Sequence, residues 1–549
     1  MPLAAQVSFT STTYPAPPGA DLAKTTIAAD LDHDGNPDLI TIDDKTGNNQ
    51  ILISYGTGGG HFGASQAIPV AYAYDVKAAD INNDGNLDLI VTGYSAVTIL
   101  TGYGNRTFST TTIPISGGAR NLAVGDFNGD GKLDFAFDTT YTSPPFSPYI
   151  QIYNGNGDGT FSRGASLPIS ASSVLLIAAD LNKDGKLDLI NVAEPTTIFL
   201  NNGDGTFRAA QTISENEQAG DNIGGGGMGD LNGDAAPDLM LEANINCGRS
   251  GCNQVLRSFL NDGAGHFTLK QTLSPADGVG GNVLLADLNY DGKLDVFYPD
   301  LGVIGYALGN GDGTFQSIKS AGSLNDSFPL LLAHDLNNDG LPDVVATSFT
   351  SLQVELNTTA TPDCSSPNSS RLAVHVCSPA PNATVNSPFT VRAVANSATD
   401  VLRIEEWVDG HKLYQQFSNQ VRNSLTVGAG THTLTIIPVD IYGGYVRQSL
   451  TIHVAAGCSA PSSPGVHVCS PVANGVYGSP VPVSAAGKGA SGPVNHMELW
   501  IDGRKIGNYP GSQINTTVSL SRNSHSAVVI EVDSRGAFIK SPPIPFNVR

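Results

Sequence analysis

One spacing of aspartates recurs along the chain: Asp-x-Asp/Asn-x-Asp-Gly-x-x-Asp. It begins at Asp30, Asp80, Asp126, Asp180, Asp230, Asp287 and Asp335, in steps of 50, 46, 54, 50, 57 and 48 residues. Alternate oxygens in a tight loop suit a hard cation, calcium above all, which takes about six to eight oxygen ligands. The candidate metal ligands in the first three loops are Asp30, Asp32, Asp34, Asn36 and Asp38; Asp80, Asn82, Asp84, Asn86 and Asp88; and Asp126, Asn128, Asp130, Lys132 and Asp134. The fourth and fifth offer Asp180, Asn182, Asp184, Lys186 and Asp188, then Asp230, Asn232, Asp234, Ala236 and Asp238. The last two offer Asp287, Asn289, Asp291, Lys293 and Asp295, then Asp335, Asn337, Asp339, Leu341 and Asp343. Positions one, three, five and nine supply side-chain oxygens. Position seven supplies its carbonyl, and a water completes the shell.

Glycine at position six permits the sharp turn. Position two is apolar throughout (Leu31, Ile81, Phe127, Leu181, Leu231, Leu288, Leu336) and is expected to plug each loop into a core. An EF-hand is excluded, because position twelve is never the Glu that such a loop needs. The bland alternative is that these aspartates only make Asx turns.

The elements that must hold the loops are strands. Each copy lies between short apolar runs, such as Asn121–Gly125 before the third loop and Leu187–Ile190 after the start of the fourth. A second signal, as in Asn202-Gly-Asp-Gly-Thr-Phe207 and Asn310-Gly-Asp-Gly-Thr-Phe315, marks a hairpin turn between loops. Strand, metal loop, strand, variable loop, strand, glycine turn, strand at a period near 50 residues fits one four-stranded propeller blade per repeat.

Over about residues 6 to 358 the chain resembles the FG-GAP (VCBS) repeat family, which includes the integrin α-chain propeller and some fungal lectins. The resemblance implies a seven-bladed β-propeller with calcium on one rim. The seventh repeat ends at Leu352–Leu356 without a fourth strand, so Gln6–Phe9 is expected to supply it and remove an open edge. Up to seven Ca²⁺ are expected, with the fifth site weakest. That loop has Ala235 in place of Gly, at a cost of roughly 1 kcal/mol if φ is positive there, and Pro237 shortly after. The extra charge of Asp32 should favour the first site. Seven Ca²⁺ would bring the net charge from −22 to −8. Millimolar calcium would stabilise each site by roughly 1–2 kcal/mol.

After Leu356 the pattern stops. Two similar segments follow, one with Val374-His-Val-Cys-Ser-Pro379 and Glu406-Trp-Val-Asp-Gly410, the other with Val466-His-Val-Cys-Ser-Pro471 and Leu499-Trp-Ile-Asp-Gly503. They resemble immunoglobulin-like β-sandwiches of bacterial surface proteins, with Trp407 and Trp500 expected in their cores. The fold is therefore expected to be all-β. The expected domains are a propeller over 1–358 and sandwiches over 359–455 and 456–549.

Six cysteines in local pairs, Cys247/Cys252, Cys364/Cys377 and Cys458/Cys469, read as disulfides in an oxidising compartment, with a Cys377–Cys469 bridge left open. A net charge of −22 argues against nucleic acid as a partner. No apolar run is long enough to span a membrane. The expectation is a secreted or surface-held monomer whose signal was removed before residue 1. No His-Glu-x-x-His, Gly-x-Ser-x-Gly or phosphate loop occurs. The function expected is calcium-dependent adhesion or recognition of a glycan or extracellular protein. The alternative is a polysaccharide-active hydrolase or lyase, or its accessory module. The ligand-contact candidates are Tyr141, Phe146 and Tyr149 in an aromatic insertion of the third repeat, and Arg249 in the Asn244–Cys252 loop of the fifth. The run Ser214–Gly227 is expected to be a second variable loop there.

Overall fold

The computed structural model describes residues 7–17, 20–22, 25–43, 45, 50–139, 147–214, 221–248, 251–275, 279, 282–289, 291–325, 330–348, 351–359, 364, 367, 371–385, 389–397, 401–416, 418–425, 427, 430–454, 461, 463–471, 476–477, 481–518 and 520–548. Among them every regular element is a strand, and no helix long and apolar enough to cross a membrane occurs. Tyr141, Phe146, Arg249 and Cys458 lie outside these residues.

Two compact units emerge: residues 1–378 with 391–423 and 435–449, and residues 379–390 with 424–434 and 450–549. The first contains seven four-stranded antiparallel sheets, one per aspartate loop. The second sheet is representative, running Ala73–Ala79, Asp88–Gly93, Ala96–Gly102 and Phe108–Pro114 in order. In all seven sheets the loop joins the first strand to the second, and the ninth loop residue opens the second strand. The seventh sheet takes its fourth strand from the N-terminus. Phe9–Pro15 pairs antiparallel with Ser351–Asn357, from Phe9 opposite Asn357 to Pro15 opposite Ser351. That strand begins at the end of the expected stretch and runs further along the chain. Gln6 lies outside the described residues.

Side chains of a strand alternate between its two faces, and here both faces are buried. In Asp38–Asp43, Leu39 joins an apolar cluster with the seventh sheet, while Ile40 and Ile42 join one with the second. Such a cluster fills each junction between sheets consecutive in the chain, and one more fills the junction of the seventh with the first. The second residue of each loop sits in a different cluster, so each loop is pinned between its own sheet and the next.

The described parts of two expected loops of the fifth repeat are largely strand. Gly224–Gly227 belongs to the first strand, Asn222–Gly229. A Cβ on Gly229 would overlap the Leu294 side chain, and one on Gly227 would lie 3.2 Å from the Val283 carbonyl. Glycine there permits close approach of the sixth sheet. The Asn244–Cys252 segment continues the paired strands Asp238–Gly248 and Gly251–Asn261, with the Cys247–Cys252 disulfide near their tip. A ladder continued beyond the sheet satisfies the backbone that a loop would leave to solvent.

The remaining strands form two pairs of sheets. One pair is Ala373–Ser378, Phe389–Asn396 and Gln420–Leu425, beside a five-stranded sheet centred on Gly430–Asp440. The other is Gly465–Ser470, Val481–Lys488 and Gln513–Val518, beside a sheet centred on Ser524–Asp533, with its own apolar core around Met497, Leu499, Val529 and Phe546. Cys364–Cys377 is a disulfide, which removes the Cys377–Cys469 alternative, and Cys469 is disulfide-bonded as well.

Deleting residues 1–15 exposes the long edge Ser351–Asn357. The expected result in scanning calorimetry is a melting temperature lower by at least about 5 °C; an unchanged melt would count against the pairing.

Candidate functional site

The seven loops share one set of hydrogen bonds. The ninth-position carboxylates are fully buried. In each, Oδ2 accepts the backbone N–H of position two at 2.8–3.1 Å. Its Oδ1 accepts the N–H of a residue at the end of the third strand or just past it, at 2.7–2.8 Å. In position one, Oδ2 accepts the N–H of position six at 2.8–3.0 Å. Position five accepts the N–H of position seven in every loop. The carboxylates thus bond back onto their own loop in Asx-type turns.

Burial pushes these acids up, and their neighbouring carboxylates add to it. Backbone N–H groups work against the rise without cancelling it. Asp38 and Asp295 reach about 8, Asp88, Asp238 and Asp335 about 7, and Asp30, Asp134 and Asp188 about 6. Asp343 lies well above its usual range. Among the described residues no cationic side chain pairs with a ninth-position carboxylate, so the cluster calls for a proton or a metal ion.

Loop one fits a cation best. Carboxylate oxygens of Asp30, Asp32 and Asp38 lie within 4.8 Å of one another. Asp30 Oδ1 is buried without a hydrogen-bond partner. Asp32 is also met by Arg106 from the second sheet's glycine turn, at 2.5 Å, and that guanidinium lies over the Tyr55 ring. The surplus charge that was expected to favour this site is therefore partly compensated by the protein itself.

Loop five keeps the full bonding pattern. Ala235 has φ of 67°, the left-handed conformation that favours glycine. Pro237 does not set this loop apart, because Pro37 and Pro342 hold the same position. In loop six the amide nitrogen of Asn289 is buried without a partner.

A pattern not read from sequence lies where the third strand ends. In four sheets the residue there is Gly56, Gly102, Gly155 or Gly309, and a Cβ would crowd the carbonyl of loop position eight. In the other three it is Asn201, Asn261 or Asn357. Each donates its amide to that carbonyl and to the position-two carbonyl of the preceding loop. Loops three and four, four and five, and six and seven are thereby tied together. In the fourth and fifth sheets the signal was present as Asn in place of Gly just ahead of the glycine turn that ends at Phe207 and Phe267.

Loops two to four border a cleft of about 990 Å³. Asp80, Asp126 and Asp180 lie on one side; Arg403, Glu405, Trp407, Tyr442, Tyr445 and Arg447 lie on the other. Trp407 is only half buried, as is Trp500, so neither is a core residue. In each, a glutamate two residues earlier holds the indole N–H at 2.9 Å. Glu405 also accepts from Arg403 and Lys412. Burial tends to raise its carboxyl, but these donors together hold it below its usual value. Of the expected ligand contacts only Tyr149 is described. It opens a strand of the third sheet, bonds Thr139 through its backbone, and is not part of the cleft.

Residues 30–91 and 80–137 match the FG-GAP-like repeat, and residues 373–436 match a bacterial Ig domain. The chain thus carries FG-GAP-like repeats followed by a bacterial Ig domain. No curated protein matches it. Among solved structures, an Agrocybe aegerita lectin described for recognition of non-reducing terminal N-acetylglucosamine is 20% identical over 57% of this chain and 80% of its own, with a TM-score of 0.38. The extracellular domain of a putative hybrid two-component system of B. thetaiotaomicron is 10% identical over 81% of this chain and 57% of its own, with a TM-score of 0.34.

Three outcomes are expected. The raised acids have folded-state pKa values above the unfolded value near 4, so metal-free folding takes up protons. Stability in EDTA should fall as pH rises from about 4 to about 8. Protons compete with metal, so the gain in melting temperature on adding calcium should be larger near pH 8 than near pH 5; equal gains would oppose the assignment. Ala235→Gly relieves a left-handed alanine and should stabilise the protein by about 1 kcal/mol in urea unfolding.

Proposed function

We propose that the seven sheets are the blades of a closed seven-bladed propeller, that its loops bind Ca²⁺, and that the chain is a secreted or cell-surface recognition protein. Three observations support the propeller: seven consecutive sheets, an apolar cluster at every junction including seventh to first, and an N-terminal strand completing the last sheet. The calcium reading rests on the converging carboxylates and on the unpartnered oxygen of Asp30. In it, positions one, three, five and nine hold the ion, which neutralises repulsion that protons otherwise relieve. Up to seven ions bind, and loop five, strained at Ala235, binds most weakly. The disulfides and the extracellular type of both repeat and Ig domain favour an oxidising location.

The observation that carries recognition is the cleft. Its wall presents Trp407, fixed by Glu405, and Tyr445, over half exposed, beside many polar groups. Flat aromatic faces among hydrogen-bonding side chains suit a glycan, whose ring faces stack while its hydroxyls bond. This site replaces the third-repeat insertion as the preferred place for ligand.

A glycan array in calcium tests the reading with two variants. Trp407→Ala should weaken binding by roughly tenfold or more. Trp500→Ala removes an indole held by the same kind of glutamate contact away from the cleft, and should leave binding unchanged. Equal loss from both, or binding indifferent to Trp407, would count against the cleft. Loss of signal in EDTA is expected with the lower melting temperature.

A further inference from the structure

The last three loops differ from the others in what touches them. Gln415 donates its amide to the carbonyl of Ala235 at 2.8 Å, and Gln416 donates to the carbonyl of Gly292 at 2.6 Å. Asn396 donates to Asn338 Oδ1 at 2.9 Å. Leu341 packs with Cys364, Val394 and Cys377. All these residues belong to the same compact unit.

The contacted positions explain two oddities of sequence. Position seven is Asn or Lys in loops one to four and in loop six, but Ala236 in loop five and Leu341 in loop seven. Both are fully or nearly fully buried. Leu341 packs against Val394 of the strand Phe389–Asn396, and Ala236 follows the residue whose carbonyl Gln415 reaches, whereas loop six, reached by Gln416, keeps Lys293.

We propose that loops five, six and seven form a metal-dependent socket for the segment 391–423, so that ion occupancy of these loops and docking of that segment are coupled. The proposal rests on the calcium reading above. The contact is largely polar: its apolar part is a small cluster, and Gln416 Oε1 and both amide atoms of Gln420 are buried without partners. Such a contact depends on the direction of the carbonyls it reaches. The carbonyls of Ala235 and Gly292 follow residues in the left-handed conformation, with φ of 67° and 84°. Those residues are held by bonds from their N–H groups to Asp230 and Asp287. The same two carboxylates are the first ligands of the ion. Removing the ion lets the loop carboxylates repel one another, turns position six, and breaks the bonds to Gln415 and Gln416. By reciprocity, docking tightens ion binding in these loops by the factor by which the ions tighten docking.

Hydrogen exchange of the full chain tests this, with calcium titrated by calorimetry in parallel. Segment 411–423 should exchange at least roughly fivefold faster in EDTA than in calcium. A Gln415→Ala, Gln416→Ala double variant should exchange fast in calcium already and bind the most coupled ions at least roughly fivefold more weakly. Thr111→Ala, exposed on the fourth strand of the second sheet, serves as control and should leave exchange of that segment unchanged in calcium. Calcium binding with segment 411–423 equally protected in both buffers would overturn the coupling and leave the calcium reading intact. Absence of any calcium heat or melting shift would overturn both. A double variant as protected as the parent would remove the two glutamines from the mechanism and overturn the proposal.

Discussion

A buried carboxylate with two backbone donors is the constraint on which the repeat region depends. At the ninth position of every loop, an aspartate with no exposed surface bridges the second loop residue to the end of the third strand. It ties the loop to the opening of the second strand and the end of the third. It also costs free energy to bury, because its charge has left water. Seven such groups, each with two further loop carboxylates nearby, make a demand for positive charge that the few lysines and arginines near them do not meet.

That bridge has consequences for packing. By fixing the N–H of position two, the aspartate aims the apolar side chain of that residue into the junction between sheets. Leu31, Ile81, Phe127, Leu181, Leu231, Leu288 and Leu336 each occupy a different junction. The polar loop and the apolar core are therefore one device. Where the third strand ends in Asn in place of Gly, the amide carries the linkage to the preceding loop.

The C-terminal strands reuse one arrangement in two settings. Glu405 with Trp407 and Lys412 is matched by Glu498 with Trp500 and Lys505. The shared contacts orient the indole in both. The first lines a cleft with the aspartate loops, so its surroundings, and not the motif, make it a candidate for recognition.

Much was legible in the chain alone. The loops and their strands follow from local rules: oxygen spacing, alternation of apolar residues, glycine at a turn; the completion of the seventh sheet follows from the strand that its own repeat lacks. Those rules act within about fifty residues and leave their mark in each repeat. What they could not supply depends on neighbours distant in sequence. Gly224–Gly227 looked like part of a variable loop, yet it is strand, and glycine at Gly227 permits the close approach of the sixth sheet. Asp32 looked like surplus charge, yet Arg106 lies against it. Trp407 looked like core, yet it borders a cleft. Ala235 looked like a defect in a metal loop, yet its carbonyl is the partner of Gln415. Sequence determined the repeating unit because its bonds are local; tertiary structure decided the charge balance and exposed faces because those depend on which distant residues come to lie beside it.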